Sequence, residues 1–167
     1  HMGKGIAKDG EQAVIWYRKA AEQNHTPAQF NLAMLYYLGN GVTKDFSETA
    51  KWLTRAAEQG EAASQNTLAV LYFNGEGVEK NMDEAIKWWR RSAENGNSKA
   101  QVSLGAMYYD GKGVEKDMVK ALMWHNLSVI NGSEDGQHNR TTLEKEATPE
   151  QLAEAKKLTD EWVKNHQ

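Results

Sequence analysis

The sequence contains no cysteine, so disulfides contribute nothing to its fold. It also lacks a long apolar run: stretches such as residues 68–73 are far shorter than the roughly 20 residues that a membrane-spanning helix needs. The formal net charge of −3 over 167 residues is too small to indicate nucleic acid or an anionic membrane as a partner. These absences leave an ordinary globular chain that is long enough for a sizeable core.

A glycine-rich stretch recurs along the chain at a step of 36 residues. It occupies residues 38–45, 74–81 and 110–117, and a shortened copy occupies residues 3–9. A fixed period of this length predicts a stacked repeat protein. Because Gly3 enters in the middle of a unit and His1-Met2 resembles a cloning remnant, we expect native sequence upstream of Gly3.

Each unit contains two helical patterns. In the first, Ala28, Leu32 and Tyr36 share one helix face, and Thr26 before Pro27 is the expected N-cap. A glycine then ends this helix, because a left-handed residue at the end of a helix is cheapest as glycine. The second helix is expected to begin at Asp45, and at Asp9 in the shortened copy. Its recurring tryptophans are predicted to be core residues: Trp16, Trp52, Trp88 and Trp124.

These residues compose the motif A-x-x-x-L-[AG]-x-x-Y-x-x-G-x-G-V-x-x-[DN], followed by A-x-x-W-x-x-x-[AS]-A-x-x-G. Over about residues 3–132 the sequence resembles Sel1-like repeats, relatives of the tetratricopeptide repeat. Thr49 and Ser64 depart from the motif, since each replaces an alanine. The resemblance implies an all-α fold, a right-handed α/α superhelical solenoid of helix-turn-helix repeats. We expect one domain, with a partial repeat at 3–24, full repeats at 25–60, 61–96 and 97–132, and a degenerate repeat at 133–167.

The last part of that domain is predicted to be a cap. The sequence Thr148-Pro149-Glu150-Gln151 is typical of a helix start, and many Sel1-like arrays end in a similar helix. The preceding second helix has lost the charges of its outer face, which here holds Asn126, Leu127 and Ile130. We therefore expect the terminal helix to cover this face through Leu152, Leu158 or Trp162; inward repacking of one irregular helix is the alternative.

No motif indicates chemistry. The sequence lacks His-Glu-x-x-His, Ser-x-x-Lys and Gly-x-Ser-x-Gly, and its Gly-x-Gly loops follow helices rather than strands. We predict no catalytic residue, no metal and no cofactor. His25 and His166 are expected at the surface, and His125 is expected to pack in the slot held by Tyr17, Leu53 and Trp89 in the other copies.

Charge is distributed unequally between the two helices of each unit. Residues 27–38 and 63–74 contain no charged residue, and residues 99–110 have one at each end only. The first helices are therefore predicted to line the concave side, the usual binding surface in this superfamily. The recurring Gln29, Gln65 and Gln101 are expected to bond repeat to repeat. The candidate binding residues are Phe30, Asn31, Tyr37, Asn66, Thr67, Phe73, Asn74, Val102, Ser103, Tyr109 and Asp110.

Tyrosine together with asparagine, serine and glutamine suits protein recognition. The first hypothesis is a non-catalytic module that binds a partner protein or peptide as an adaptor or inhibitor; the resemblance also implies roles such as immunity proteins. The alternatives are an enzyme acting on a cell-wall or sugar substrate and a structural fragment of a longer array. Nucleic acid and membrane insertion are not expected. The resemblance favours a periplasmic or secreted setting, with the cytoplasm as the alternative.

Overall fold

In the computed structural model, the backbone is described for residues 2–166 and the side chains for residues 10–166. Nine α-helices and no strand are present over that backbone. They are α1 (Met2–Glu22), α2 (Thr26–Leu38), α3 (Phe46–Glu58), α4 (Ala62–Asn74), α5 (Met82–Glu94), α6 (Ser98–Asp110), α7 (Met118–Ile130), α8 (Glu134–Glu144) and α9 (Pro149–Asn165).

The helix bounds follow the 36-residue period of the sequence. The first helices α2, α4 and α6 begin at Thr26, Ala62 and Ser98, and each has 13 residues. The second helices α3, α5 and α7 begin at residues 46, 82 and 118, again with 13 residues each. The predicted all-α fold of helix-turn-helix repeats is therefore confirmed.

The chain divides into two compact units, residues 1–88 and residues 89–167. In the first unit, α2 packs on α1 and α3, and α4 packs on α3. In the second unit, α7 packs on α6, α8 and α9. The cores contain leucines that are almost fully buried, including Leu32, Leu53, Leu68, Leu104 and Leu122. The boundaries predicted for a single repeat domain stay a prediction.

The turn inside each copy is closed by backbone hydrogen bonds to the end of the first helix. At Gly75, φ is +78°, and the N–H groups of Gly75 and Glu76 both donate to Leu71 O, at 2.8 and 3.0 Å. The N–H of Asn81 then donates to Tyr72 O at 2.9 Å, which fixes the start of the second helix. The left-handed backbone conformation at this point turns the following N–H groups toward the last carbonyls of the helix, which would otherwise have no partner.

The second glycine of the turn has a different role: it lets the turn lie close to the backbone of the preceding second helix. Gly77 has φ of +69°, and a Cβ placed there would lie 2.1 Å from the carbonyl oxygen of Phe46, the first residue of α3. The turn of one copy thus lies directly against the start of the preceding second helix. Any side chain at this position would have to displace backbone atoms.

Two expectations about the N-terminal copy are wrong. Residues 3–9 form part of the continuous helix α1, and no helix begins at Asp9. In the complete copies the turn is closed by hydrogen bonds to the first helix, and the second helix begins after the turn. Trp16 is 67% exposed, whereas Trp52, Trp88 and Trp124 are buried as predicted.

The predicted N-cap of α2 is also wrong by one residue. His25 is the N-cap, and its Nδ1 accepts a hydrogen bond from the N–H of Ala28 at 3.2 Å. Thr26 already lies in the helix, and its hydroxyl donates to Gln59 Oε1 at 2.8 Å. An imidazole nitrogen can replace the usual hydroxyl or carboxylate oxygen because the neutral ring has one acceptor. His25 and His166 are both exposed, as expected.

Helix α9 covers the outer face of α7, as the loss of charge there predicts. It begins with a capping box between Thr148 and Gln151. Asn126 Nδ2 donates to Thr159 Oγ1 at 3.2 Å, and Leu127 is 1% exposed.

The cover is incomplete at its edge. Trp162 packs edge-on to Trp124, with ring centroids 6.4 Å apart. Ile130, however, remains 61% exposed and lines an open cavity of about 520 Å³ among α7, α8 and α9. The predicted capping helix is therefore confirmed, with Ala155 and Thr159 as its buried residues.

We expect Gly77→Ala to destabilise the protein far more than Gly60→Ala. Both glycines have positive φ, so alanine costs about 1 kcal/mol at either position. A Cβ at Gly60 would meet nothing within 4 Å, whereas one at Gly77 would meet the Phe46 backbone, which adds roughly 1–3 kcal/mol. Urea unfolding of the two variants measures the difference. Equal losses would show that the turn can move away from α3.

Candidate protein-interaction surface

The predicted binding residues all lie on first helices, and none of them is buried. We call them the first-helix surface of each unit. In the first unit they lie on α2 and α4, which both pack on α3: Phe30, Asn31, Tyr37, Asn66, Thr67, Phe73 and Asn74. In the second unit they lie on α6 alone: Val102, Ser103, Tyr109 and Asp110. Their role in binding stays a prediction.

The three recurring glutamines belong to the framework under this surface. Gln29, Gln65 and Gln101 are each at most 3% exposed. Their Nε2 atoms donate to the carbonyls of Ala21, Ala57 and Ala93 respectively, at 3.2, 3.0 and 3.0 Å. Each acceptor lies in the last turn of the second helix of the preceding copy. The expected hydrogen bond from repeat to repeat is therefore confirmed.

The amide oxygens of two of these glutamines complete a bridge. Gln59 Nε2 donates to Gln29 Oε1 at 2.6 Å, and Asn131 Nδ2 donates to Gln101 Oε1 at 3.0 Å. Gln59 and Asn131 are the C-cap residues of α3 and α7. One buried glutamine side chain thus joins the ends of two successive second helices, and the surface above it has a fixed support.

Three of the four aromatic side chains of the surface are oriented by lysines from the following turn. Lys44 Nζ lies 5.5 Å from the ring centroid of Tyr37, and Lys80 Nζ lies 5.9 Å from that of Phe73. Lys116 Nζ lies 5.1 Å from the ring of Tyr109. Such cation–π contacts are worth about 0.5–1 kcal/mol at exposed sites. The aromatic rings are therefore held in place while one part of each stays accessible.

Tyr109 has a second constraint, because its hydroxyl donates to Glu146 Oε2 at 2.8 Å. This hydrogen bond, together with the negative charge of Glu146, raises the pKa of Tyr109 above its ordinary value. The phenol is therefore neutral and fixed to the chain that follows α8.

The polar side chains of the surface keep unused hydrogen-bonding capacity. The hydroxyls of Thr67 and Ser103 donate to carbonyls of their own helices. The amides of Asn31, Asn66 and Asn74 form no hydrogen bond within residues 10–166. Helices α2 and α4 contain no charged residue, so the first unit presents neutral donors and acceptors beside aromatic rings.

Two carboxylates among the described side chains have lowered pKa values. Burial favours the neutral form of Asp117, but hydrogen bonds from Lys120 outweigh it and lower the pKa. Hydrogen bonds from its own N–H and from Thr148 lower the pKa of Glu150. Neither group is a proton donor at neutral pH. Those side chains also contain no group of three or more potential metal ligands.

A family model described as Sel1 repeat matches four consecutive segments, residues 1–25, 26–61, 62–97 and 98–133. The chain belongs to the Sel1 repeat family. Proteins with this repeat generally mediate protein–protein interactions. No match was found among curated proteins. Over residues 2–166 no helix combines the length and the apolar content needed to cross a bilayer.

Solved structures of other Sel1 repeat proteins are similar to this chain. A Sel1 repeat protein from Oxalobacter formigenes is 39% identical over 76% of this chain, with a TM-score of 0.72. A protective antigen of uropathogenic Escherichia coli with an SLR fold is 32% identical over 92% of this chain, with a TM-score of 0.70. This chain spans only 52% and 41% of those two structures.

This chain covers almost the whole length of a third similar structure. Cysteine-rich protein B of Helicobacter pylori is 25% identical over 80% of this chain and 96% of its own, with a TM-score of 0.63. The predicted solenoid fold of Sel1-like repeats is confirmed by these similarities together with the helix packing.

The third full Sel1 repeat differs from the others at one buried position. His125 is 1% exposed and lies against Gly105, where a Cβ would be 2.6 Å from the ring atom Cε1. The other repeats have Ala33 and Ala69 in place of this glycine. Burial lowers the pKa of His125 to about 4, so the ring is neutral. The prediction that His125 packs inside is confirmed, but the pairing of glycine with histidine was missed.

We expect the stability of the protein to fall between pH 6.5 and pH 4 because of His125. In this window the unfolded chain binds a proton that the folded chain does not, so the free energy of unfolding decreases as pH falls. The pKa difference between 6.5 and about 4 corresponds to roughly 3 kcal/mol. The variant His125→Leu should remove this part of the pH dependence. Leucine is chosen because Leu53 occupies the equivalent position in the first full repeat. Urea unfolding at pH 7 and pH 4.5 measures it.

The matched control is His138→Gln, since His138 is exposed. This variant should keep the pH dependence of the wild type. An unchanged pH dependence in His125→Leu would contradict the assignment of a buried neutral imidazole.

Proposed function

We propose that this Sel1 repeat chain is a non-catalytic binding module that holds a partner protein or peptide on its first-helix surfaces. It would act as an adaptor or an inhibitor, of which an immunity protein for a secreted bacterial effector is one example. The observation that carries the proposal is the first-helix surface of the first unit. There, unpaired amides stand beside oriented aromatic rings on two helices that contain no charge.

The chemistry of this surface favours a polypeptide as the ligand. Asn31, Asn66 and Asn74 can each donate to and accept from a peptide backbone, which has one donor and one acceptor per residue. Phe30 and Phe73 supply half-buried apolar area between these amides. A mixture of aromatic anchors and adaptable amides is typical of surfaces that recognise proteins.

The contacts that hold the first-helix surface in place also favour tight binding of a partner. Gln29 and Gln65 fix α2 and α4 to the second helices of the preceding copies. Tyr37 and Phe73 are held by lysines, so their rings lose little freedom when a partner binds. A surface that is ordered before binding avoids part of the entropy cost of association.

The test begins with peptides selected from a random library on the whole chain. Their affinities are then measured for the wild type and for Asn31→Ala/Asn66→Ala. Loss of two amides that hydrogen-bond the peptide should weaken binding about tenfold or more. The matched control is Lys51→Ala/Glu58→Ala, which changes two exposed charges on α3. Circular dichroism confirms that each variant is folded.

The control should bind within about twofold of the wild type. The proposal is overturned if the selected peptides lose affinity for the α3 variant and keep it for the amide variant. Binding would then take place on the charged second helices.

A further inference from the structure

A small pocket lies in the second unit among α6, α7 and α8. Its volume is about 240 Å³. Three features distinguish it: apolar walls, several neutral polar groups and no Asp, Glu, Lys or Arg. The lining residues are Ala106, Tyr109, His125, His138, Asn139, Thr142 and Leu143.

The pocket lies next to the pair of Gly105 and His125, in which the third full repeat differs from the other repeats. Gly105 leaves room for the His125 ring, and no side chain at position 105 extends toward the lining. His125 Nδ1 is buried and has no hydrogen-bond partner among the described residues. A buried polar atom without a partner costs stability, and this one belongs to a residue that lines the pocket.

Other polar groups of the pocket are also unused. The ring of His138 and the amide of Asn139 form no hydrogen bond with the side chains or backbone of residues 10–166. The Thr142 hydroxyl donates to His138 O and keeps its capacity to accept. Tyr109, in contrast, already donates to Glu146, so its ring is a fixed wall.

The volume of the pocket and the polarity of its lining residues together indicate which ligand it can bind. A cavity of about 150 Å³ holds a benzene molecule, whereas pockets for drug-sized ligands begin near 300 Å³. A single aromatic ring therefore fits. An ionised guest would lose its hydration without gaining an opposite charge, and Glu146 at the Tyr109 hydroxyl repels carboxylates. A phenyl ring alone would leave the polar groups unpaired, but a phenol can both donate and accept.

We propose that this pocket is a subsite for one tyrosine side chain of the partner. The ring lies between Ala106, Tyr109 and Leu143, and the hydroxyl bonds to the polar groups contributed by α7 and α8. The inference rests on the proposed function, because it assumes a polypeptide on the first-helix side. It adds a specificity element in the second unit.

The first arm of the test uses p-cresol and toluene as probes, since they share a shape and differ in the hydroxyl. Each is titrated into the full chain and followed by NMR. We expect p-cresol to shift the signals of His125, Asn139 and Thr142 and to bind about fivefold or more tightly than toluene. Asn139→Ala and His125→Leu should each reduce that preference. His166→Gln, an exposed change outside the pocket, should not.

The second arm uses the library peptides. A Tyr→Phe change in a selected peptide should weaken binding to the wild type about fivefold and should have less effect on Asn139→Ala. Binding of p-cresol without any tyrosine dependence among the peptides would mean a site for free phenols and would overturn the assignment to a partner.

Failure of the inference and failure of the proposed function give different results. If p-cresol does not bind in the pocket while the Asn31→Ala/Asn66→Ala variant still loses peptides, the subsite is overturned and the binding module stands. If the pocket prefers p-cresol but no peptide depends on the first-helix surface of either unit, the proposed function fails and with it the tyrosine assignment. Equal shifts for p-cresol and toluene also overturn the inference.

Discussion

The buried glutamine bridge is the interaction on which the rest of the structure depends. A carbonyl oxygen has two lone pairs, so a carbonyl at the end of a helix can accept a side-chain donor in addition to a backbone N–H. The carbonyl of Ala21 accepts from the N–H of Asn24 and also from the side chain of Gln29, which in turn accepts from Gln59. Gln101 makes the same pair of bonds, to the carbonyl of Ala93 and from Asn131. Each glutamine therefore sets the position of its first helix against two second helices.

This bridge explains why a surface without charge can be displayed on short helices. Isolated helices of 13 residues are marginal in water, and most of their stability comes from packing. Because the glutamine and the leucines hold one face of α2 and α4, the other face is free to carry asparagines and aromatic rings. The lysines of the glycine turns then orient these rings. Framework and candidate site are thus opposite faces of the same helices.

Much of this arrangement was predictable because it repeats. The 36-residue step, the left-handed Gly75, the buried Trp52 and the terminal capping box all follow from local patterns that recur or have strong sequence signatures. The repeat pattern does not hold equally in every copy. Trp16, predicted to be a core residue, is 67% exposed. Gln137 occupies the position of the buried glutamines but is exposed, and it donates to Thr141 at 3.2 Å. The pocket beside His125 was missed because it depends on how the side chains of three consecutive helices pack together, which the repeat pattern does not specify.

The contrast between Gln29 and Gln137 gives the most direct test of the account. The free energy of unfolding is measured for Gln29→Leu and for Gln137→Leu, two identical changes at equivalent repeat positions. The account predicts a loss of about 2 kcal/mol for Gln29→Leu, since it removes the hydrogen bonds that the buried amide forms with Ala21 O and Gln59 Nε2, and a change within about 0.5 kcal/mol for Gln137→Leu. Equal effects of the two substitutions would contradict the central place of the bridge.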